Sequence, residues 1–292
     1  MDDLDGRRPV VVGYDGSPGA EQALRWGAEE AQLRDLPLVL CHAWHWPYPF
    51  HPLAREILDQ VENVGATVLA AGVDRVHELT ERLEVRTHLA KGTSAAVILE
   101  AARDAELVVL GSRGHGGFED LQVGSGAMQV PAHTDRPVIV VRPTLPPTRQ
   151  NGVRVTVGVD GSPASQAALA FAFAEAELRG GSVTALCAWW DTSALPGPNR
   201  LPFTDTETMR YAAKERFEEC LQPWTTRYPE VAVTTEFMNE RPQRAVNEMA
   251  RGAVLLVLGS RGVGAVPANR LGPVTQAALF AAPCPVAVTP PR

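Results

Sequence analysis

The sequence predicts a doubly wound α/β fold written twice, as two tandem parallel five-stranded sheets with flanking helices. Three observations predict it. Short runs of valine and leucine alternate with amphipathic stretches, so that strand and helix follow one another along the chain. The segment VVVGYDGSPGAEQALRWGAEEA, from Val10, returns as VTVGVDGSPASQAALAFAFAEA from Val155. Further on, ELVVLGSRGHGG returns as VLLVLGSRGVGA, which pairs Gly111 with Gly259 as Asp15 pairs with Asp160.

Within the first half each element has its own warrant. PVVVGYD is a β-branched run and reads as a strand. SPGAEQALRWGAEEAQ reads as a helix: Ser17 is placed to cap it, Pro18 suits its first turn, and Ala20, Ala23, Leu24, Gly27, Ala28 and Ala31 fall on one face. PLVLCHAW is a second strand, HWPYPFHP a loop, and the stretch from about Leu53 to Arg82 a long helix. Strand EVRTHLA, helix TSAAVILEAARD, strand ELVVLG, a glycine loop, a helix from about Ser125 and strand PVIVVRP complete the half. The second half repeats this order through VTALCAWW, VAVTTEFM, AVLLVLGS and CPVAVTP. The halves meet at RPTLPPTRQNG, whose prolines and polar residues read as a linker, so the domains are expected at residues 1–147 and 148–292. Parallel strands joined by helices need right-handed crossovers, and such sheets bind ligands beyond the carboxyl ends of their strands.

Composition narrows the function. A net charge of −7 with scattered basic residues argues against a nucleic-acid partner, while a small phosphate ligand needs no overall basicity. The N-terminal MDDLDGRRPV lacks the apolar core of a signal peptide, and no later stretch reaches the ~18 apolar residues of a membrane span. A cytoplasmic protein with no membrane contact is expected. Cys41, Cys187, Cys220 and Cys284 form no C-x-x-C pair and read as buried thiols. His42, His45 and His51 are close in sequence, but no Glu or Asp completes a metal set, so no metal site is expected from protein ligands.

The stretch GSRGHGGFEDLQVGSG, Gly111 to Gly126, places glycines where a group must approach the main chain closely. It is neither a P-loop, since no G-K-[ST] follows, nor a first-strand G-x-G-x-x-G. Its spacing ends on Gly124-Ser125 opening a helix, and a helix start with free N–H groups and a hydroxyl is a seat for phosphate.

These residues resemble the universal stress protein family: GYDGS after the first strand, GSRGHGG after the fourth, and the G-x2-G-x9-G-[ST] spacing of the first half, with the resemblance covering nearly all of both halves. The resemblance implies a Rossmann-like, adenine nucleotide α-hydrolase-like fold that binds ATP or ADP, with Mg2+ or a similar ion. It implies main-chain contacts to adenine at Gly13 and Ala43, and a ribose and phosphate role for Asp15. Gly111 and Gly114 would let the backbone approach the ligand, while Gly124, Ser125 and Gly126 would hold the distal phosphates. The family's second hydroxyl is absent at Ala127. In the second half it implies Gly158, Asp160, Ala188, Gly259, Gly262 and Gly272; Pro273 stands at the place of Ser125, and Thr275 at that of the second hydroxyl. It also implies pairing of last strands, VIVVR with VAVTP, and further pairing of two chains as a homodimer.

Other readings stand beside these. Asp15 suits a helix cap, the glycines suit plain turns, and Arg113 and His115 suit either phosphate neutralisation or a solvated loop. Trp44, Trp46, Trp189 and Trp190, just past the second strand of each half, can stack on a base or cover core. Enzymatic turnover is not expected, since Asp15 alone offers a metal or base group and a phosphotransferase needs a positioned base and several cations. Slow ATP hydrolysis is compatible with the motif. The expected function is therefore a nucleotide-dependent regulator of stress response or growth state. The rivals are a PP-loop pyrophosphatase, whose S-G-G-x-D-S loop GYDGSPG lacks, and a structural pseudo-dimer with degenerate sites.

Overall fold

The computed structural model describes residues 7–46, 55–114, 123–142, 152–190, 206–263 and 270–291. The chain divides into two compact units, Met1–Pro143 and Thr144–Arg292. The expected boundary at residues 147/148 falls outside the described residues, as do His51 and His115.

The first unit runs β1 (Val10–Gly13), α1 (Pro18–Arg34), β2 (Leu38–Trp44), α2 (Arg55–Leu79), β3 (Val85–Lys91), α3 (Ser94–Ala102), β4 (Leu107–Gly111), α4 (Ser125–His133) and β5 (Val138–Val141). Its strands are all parallel, in the order β3-β2-β1-β4-β5. The second unit runs β6 (Arg154–Gly158), α5 (Pro163–Leu178), β7 (Ser182–Ala188), α6 (Thr206–Arg227), β8 (Ala232–Met238), α7 (Pro242–Met249), β9 (Leu255–Gly259), α8 (Pro273–Ala281) and β10 (Val286–Thr289). Its strands repeat the order as β8-β7-β6-β9-β10, again parallel. In each unit the winding reverses between the first and fourth strands, which opens a crevice at their carboxyl ends.

The core follows from the periodicities. Val10, Val11, Val12, Val108, Val109 and Ile139 are fully buried, as strands covered on both faces require. On α1 the buried set is the expected apolar face, with Ala20, Ala23, Leu24, Gly27, Ala28 and Ala31. Glu30 joins it, fully buried, with its Oε2 accepting from Arg34 Nε at 3.1 Å. Glu175 and Arg179 on α5 repeat that pair at 3.1 Å. Among the described residues no helix is long and apolar enough to cross a membrane.

Candidate functional site

The carboxyl ends of β1, β2 and β4 and the starts of α3 and α4 enclose a cavity of about 450 Å³. All the expected residues of the first half, Gly13, Asp15, Ala43, Gly111, Gly114, Gly124, Ser125 and Gly126, line it. The second unit holds a matching cavity of about 570 Å³. Gly158, Asp160, Ala188, Gly259, Gly262, Gly272 and Thr275 line that one. Both cavities lie at the reversal of the strand order.

The turn after β1 is organised by two side chains with separate tasks. Ser17 is the N-cap of α1, with Ala20 N–H donating to its Oγ at 3.2 Å. Asp15 is not the cap: its Oδ1 accepts from Ser17 N–H at 3.0 Å, which closes the turn and leaves the carboxylate on the cavity wall. Ser162 and Asp160 repeat both contacts. In the second unit the other oxygen of Asp160 accepts from Val263 N–H at 2.9 Å, so one carboxylate ties the turn after β6 to the glycine loop after β9.

At three of the glycines the chain itself supplies a steric reason. A Cβ on Gly111 would lie 2.6 Å from the main-chain carbon and oxygen of Gly19, so glycine here admits the first turn of α1. A Cβ on Gly114 would lie 2.3 Å from Asp15 Oδ2, and one on Gly262 would lie 2.3 Å from Asp160 Oδ2. The close approach at these positions is therefore made by the chain itself. Gly126 differs, since a Cβ there would have nothing within 4 Å, and it faces open cavity.

The helix start also takes shape from the backbone. Gly124 is the N-cap of α4, with φ −73° and ψ 159°, and its N–H donates to Ser112 O at 2.7 Å. The first-turn N–H groups that follow, at Ser125, Gly126 and Ala127, have no acceptor within the helix. They carry the positive end of the helix dipole at the cavity. Gly272 reproduces this cap in α8, donating to Ser260 O at 2.8 Å, but Pro273 then has no N–H to offer. Thr275 lines the cavity, yet its hydroxyl donates to Gly259 O at 2.7 Å and is buried. Its one proton is thus directed into the protein, and the lost hydroxyl of Ser125 is not replaced.

Other cavity residues carry little or no motif. His42 lines the first cavity, and its Nδ1 lies 2.7 Å from Tyr14 O. A carbonyl only accepts, so Nδ1 carries a hydrogen and donates it to Tyr14 O. Of the four tryptophans past the second strands, only Trp190 lines a cavity. Lys91 lies over Trp44 at 5.6 Å, and Trp189 stacks on Phe237 at 6.5 Å. Arg241 is the residue that sequence reasoning missed. Its guanidinium lies 4.8 Å from the ring centre of Trp190, and both line the second cavity. Setting KGTSAAV beside NERPQRAV would have exposed it, because Thr93 holds the same place in the first half.

Acid–base character is limited. Asp15 and Asp160 are the only carboxylates lining their respective cavities among the described residues. Burial, with the charge of Glu100 adding to it, pushes the Cys41 thiol in the first cavity wall up to about 12. Tyr14 is raised by burial and by its hydrogen bond to Glu21. No group of three or more His, Cys, Asp and Glu that could hold a metal occurs among the described residues.

Comparison with known proteins agrees with this geometry. The family model described as the universal stress protein family matches residues 6–142 and again 153–290. The chain is 34% identical over 289 residues to the universal stress protein Rv2005c of Mycobacterium tuberculosis, covering 96% of each. It is 33% identical over 297 residues to a universal stress protein of Mycolicibacterium smegmatis, covering 97% of each. The fold is shared with the crystal structure of a universal stress protein from Archaeoglobus fulgidus, at a TM-score of 0.71 and 17% identity, covering 97% of this chain and 98% of that one. With both halves matched by the family model and near full-length relatives above 30% identity, the chain belongs to the universal stress protein family, as a tandem two-domain member.

Proposed function

We propose that this chain is an ATP-binding regulator of stress response or growth state, acting in the cytoplasm, in which nucleotide occupancy changes the association of the protein as a homodimer or with a further protein. One observation carries the reading. In the first unit the turn carboxylate, the glycine loop and the free N-terminus of α4 converge on one cavity of about 450 Å³ at the sheet's crevice. That is the arrangement a nucleotide needs: main chain for the base, a carboxylate for ribose hydroxyls, and a helix dipole for phosphate.

The residues also fit a divalent ion carried by the nucleotide. Asp15 would supply one carboxylate oxygen and the phosphates the rest, which matches how Mg2+ is usually held. The ion would offset phosphate charge. The chain itself contributes the carboxylate, Arg113 and the α4 amides.

The surroundings of the α4 start support a reading of binding without turnover. Asp15 has Oδ1 engaged by Ser17 N–H and is the only acid in the wall among the described residues, and His42 stands beside Ala43 at the base end. Among the described residues no second cation and separate base converge as a phosphoryl-transfer site requires.

The test is mass spectrometry of small molecules released from freshly purified protein, followed by calorimetric titration with ATP and Mg2+. ATP or ADP released, with micromolar rebinding that Asp15→Ala weakens at least about tenfold, supports the reading. Protein that releases none and binds none refutes it in favour of the structural pseudo-dimer.

A further inference from the structure

The two cavities are built on matching frames but differ at opposite ends. At the helix end, α4 offers the N–H and hydroxyl of Ser125, whereas α8 offers Pro273 and a Thr275 hydroxyl already donated to Gly259 O. At the other end, Thr93 in the first half caps α3, with Ala96 N–H donating to its Oγ1 at 3.3 Å. Arg241 takes that place in the second half, and α7 begins with no side-chain cap. The missing cap is a local cost to the helix. In its place the second cavity has a guanidinium laid on the indole of Trp190, where the first cavity has His45.

A guanidinium held over an indole face offers a cationic and aromatic surface against which a purine can pack. A helix start stripped of its first N–H and its hydroxyl gives distal phosphates little to bind. With Arg261 in the second wall matching Arg113 in the first, a longer phosphate chain meets fewer donors at α8 than at α4.

We infer that the second cavity recognises its nucleotide by the base, through Trp190 and Arg241, and binds a purine nucleoside monophosphate as tightly as the triphosphate, while the first cavity favours the triphosphate. This inference rests on the nucleotide-binding reading proposed above. It makes the tandem chain a receptor for two properties of one nucleotide pool, phosphate-chain length in the first unit and base identity in the second.

The experiment is calorimetric titration of the full chain with ATP and, separately, AMP, in wild type and four variants. Wild type is expected to take up two equivalents of ATP but only one of AMP tightly, with the second AMP at least about tenfold weaker. Arg241→Ala and Trp190→Ala should each weaken the tight AMP site about tenfold or more and leave the tighter ATP site unchanged. Trp190→Phe, which keeps a ring, should retain AMP and guards against loss of fold as the cause. Pro273→Ser should restore preference for ATP in the second site. An AMP site indifferent to Arg241→Ala and Trp190→Ala, or ATP preferred at least tenfold over AMP at both wild-type sites, overturns the inference and leaves nucleotide binding standing. No uptake of either nucleotide overturns both.

Discussion

Replacing Gly114 with alanine should act on a carboxylate that lies far from it in sequence. The new Cβ would lie 2.3 Å from Asp15 Oδ2 and 3.3 Å from its Cγ, with no atom outside Asp15 among its near contacts. Gly114 does not occupy the left-handed region, so alanine brings no backbone strain of its own. The carboxylate must turn away, and in turning it gives up the Ser17 N–H at 3.0 Å. A hydrogen bond to a charged group is worth about 1.5 to 3 kcal/mol, and the half-exposed position of Asp15 favours the lower end. The expected loss is about 1.5 kcal/mol of stability, with ATP affinity down about tenfold. A double-mutant cycle isolates the cause. In an Asp15→Ala background the added methyl meets nothing, so Gly114→Ala should be nearly neutral there, giving a coupling of about 1.5 kcal/mol. Urea unfolding and ATP calorimetry on the four proteins measure it. Additivity within about 0.5 kcal/mol would refute the reasoning. The same cycle at Gly262 and Asp160 should show a similar coupling, because the Cβ would again lie 2.3 Å from Oδ2 and the carboxylate again holds the N–H two residues on at 3.0 Å.

Four other predictions can be measured separately. Gly111→Ala, whose Cβ would meet the Gly19 main chain at 2.6 Å, should destabilise the protein by about 1 to 3 kcal/mol in urea unfolding. Gly126→Ala, with nothing within 4 Å, should leave stability unchanged or raise it by up to about 1 kcal/mol. In a phosphate-release assay, hydrolysis of ATP should run several orders of magnitude below a typical ~10 s⁻¹, and an ordinary enzymatic rate in highly purified protein would overturn the regulatory reading. Stability should fall with rising pH between 9 and 12, because the unfolded Cys41 thiol ionises near its ordinary value of 9.0 while the folded one holds its proton to about 12. That stabilisation is intact below pH 9 and reaches a loss of about 4 kcal/mol at pH 12. Cys187, pushed up to about 11 chiefly by burial, adds to the loss over the lower part of that window. Cys41→Ala should flatten the pH profile of urea unfolding, and an unchanged slope would count against this assignment.

The parts of the fold governed by periodicity were legible in the sequence. The buried face of α1 is the set of residues that a 3.6-residue period selects, and Ser17 caps the helix as its type and place suggest. Glu30 was not legible, because a glutamate four residues before an arginine ordinarily marks a solvated face, yet here the pair is drawn into the core. The candidate site was legible as a set of positions, since every motif residue lines one of the two cavities. The reason for each residue was less so. A glycine reports that something approaches, but sequence does not say whether it is a ligand or another part of the chain. At Gly111 and Gly114 it is the chain. Thr275 shows the same limit for a side chain: its place in the motif was readable, while the direction of its single proton depends on the Gly259 carbonyl that packing brings beneath it.

The internal duplication separates what the frame demands from what a ligand demands. Asp15 with Gly114 and Asp160 with Gly262 are the same steric pair at the same 2.3 Å, and each aspartate also holds the N–H two residues on at 3.0 Å. Those groups fix the loop after the fourth strand of each unit against the turn after its first. Such a carboxylate retains lone pairs for a hydroxyl donor after it has taken the backbone N–H groups, so ordering the loop and receiving a ribose are compatible tasks. The differences between the halves lie outside this clamp, at Thr93 and Arg241, His45 and Trp190, Ser125 and Pro273. Each touches a cavity and none is needed to join the two segments. Drift under packing alone would have no reason to put a cation on an indole at one end of the second cavity and a proline at the other. The first exchange places a guanidinium over an indole and the second removes an N–H and a hydroxyl from the helix start, and on the reading proposed here both would shift recognition from the phosphates towards the base.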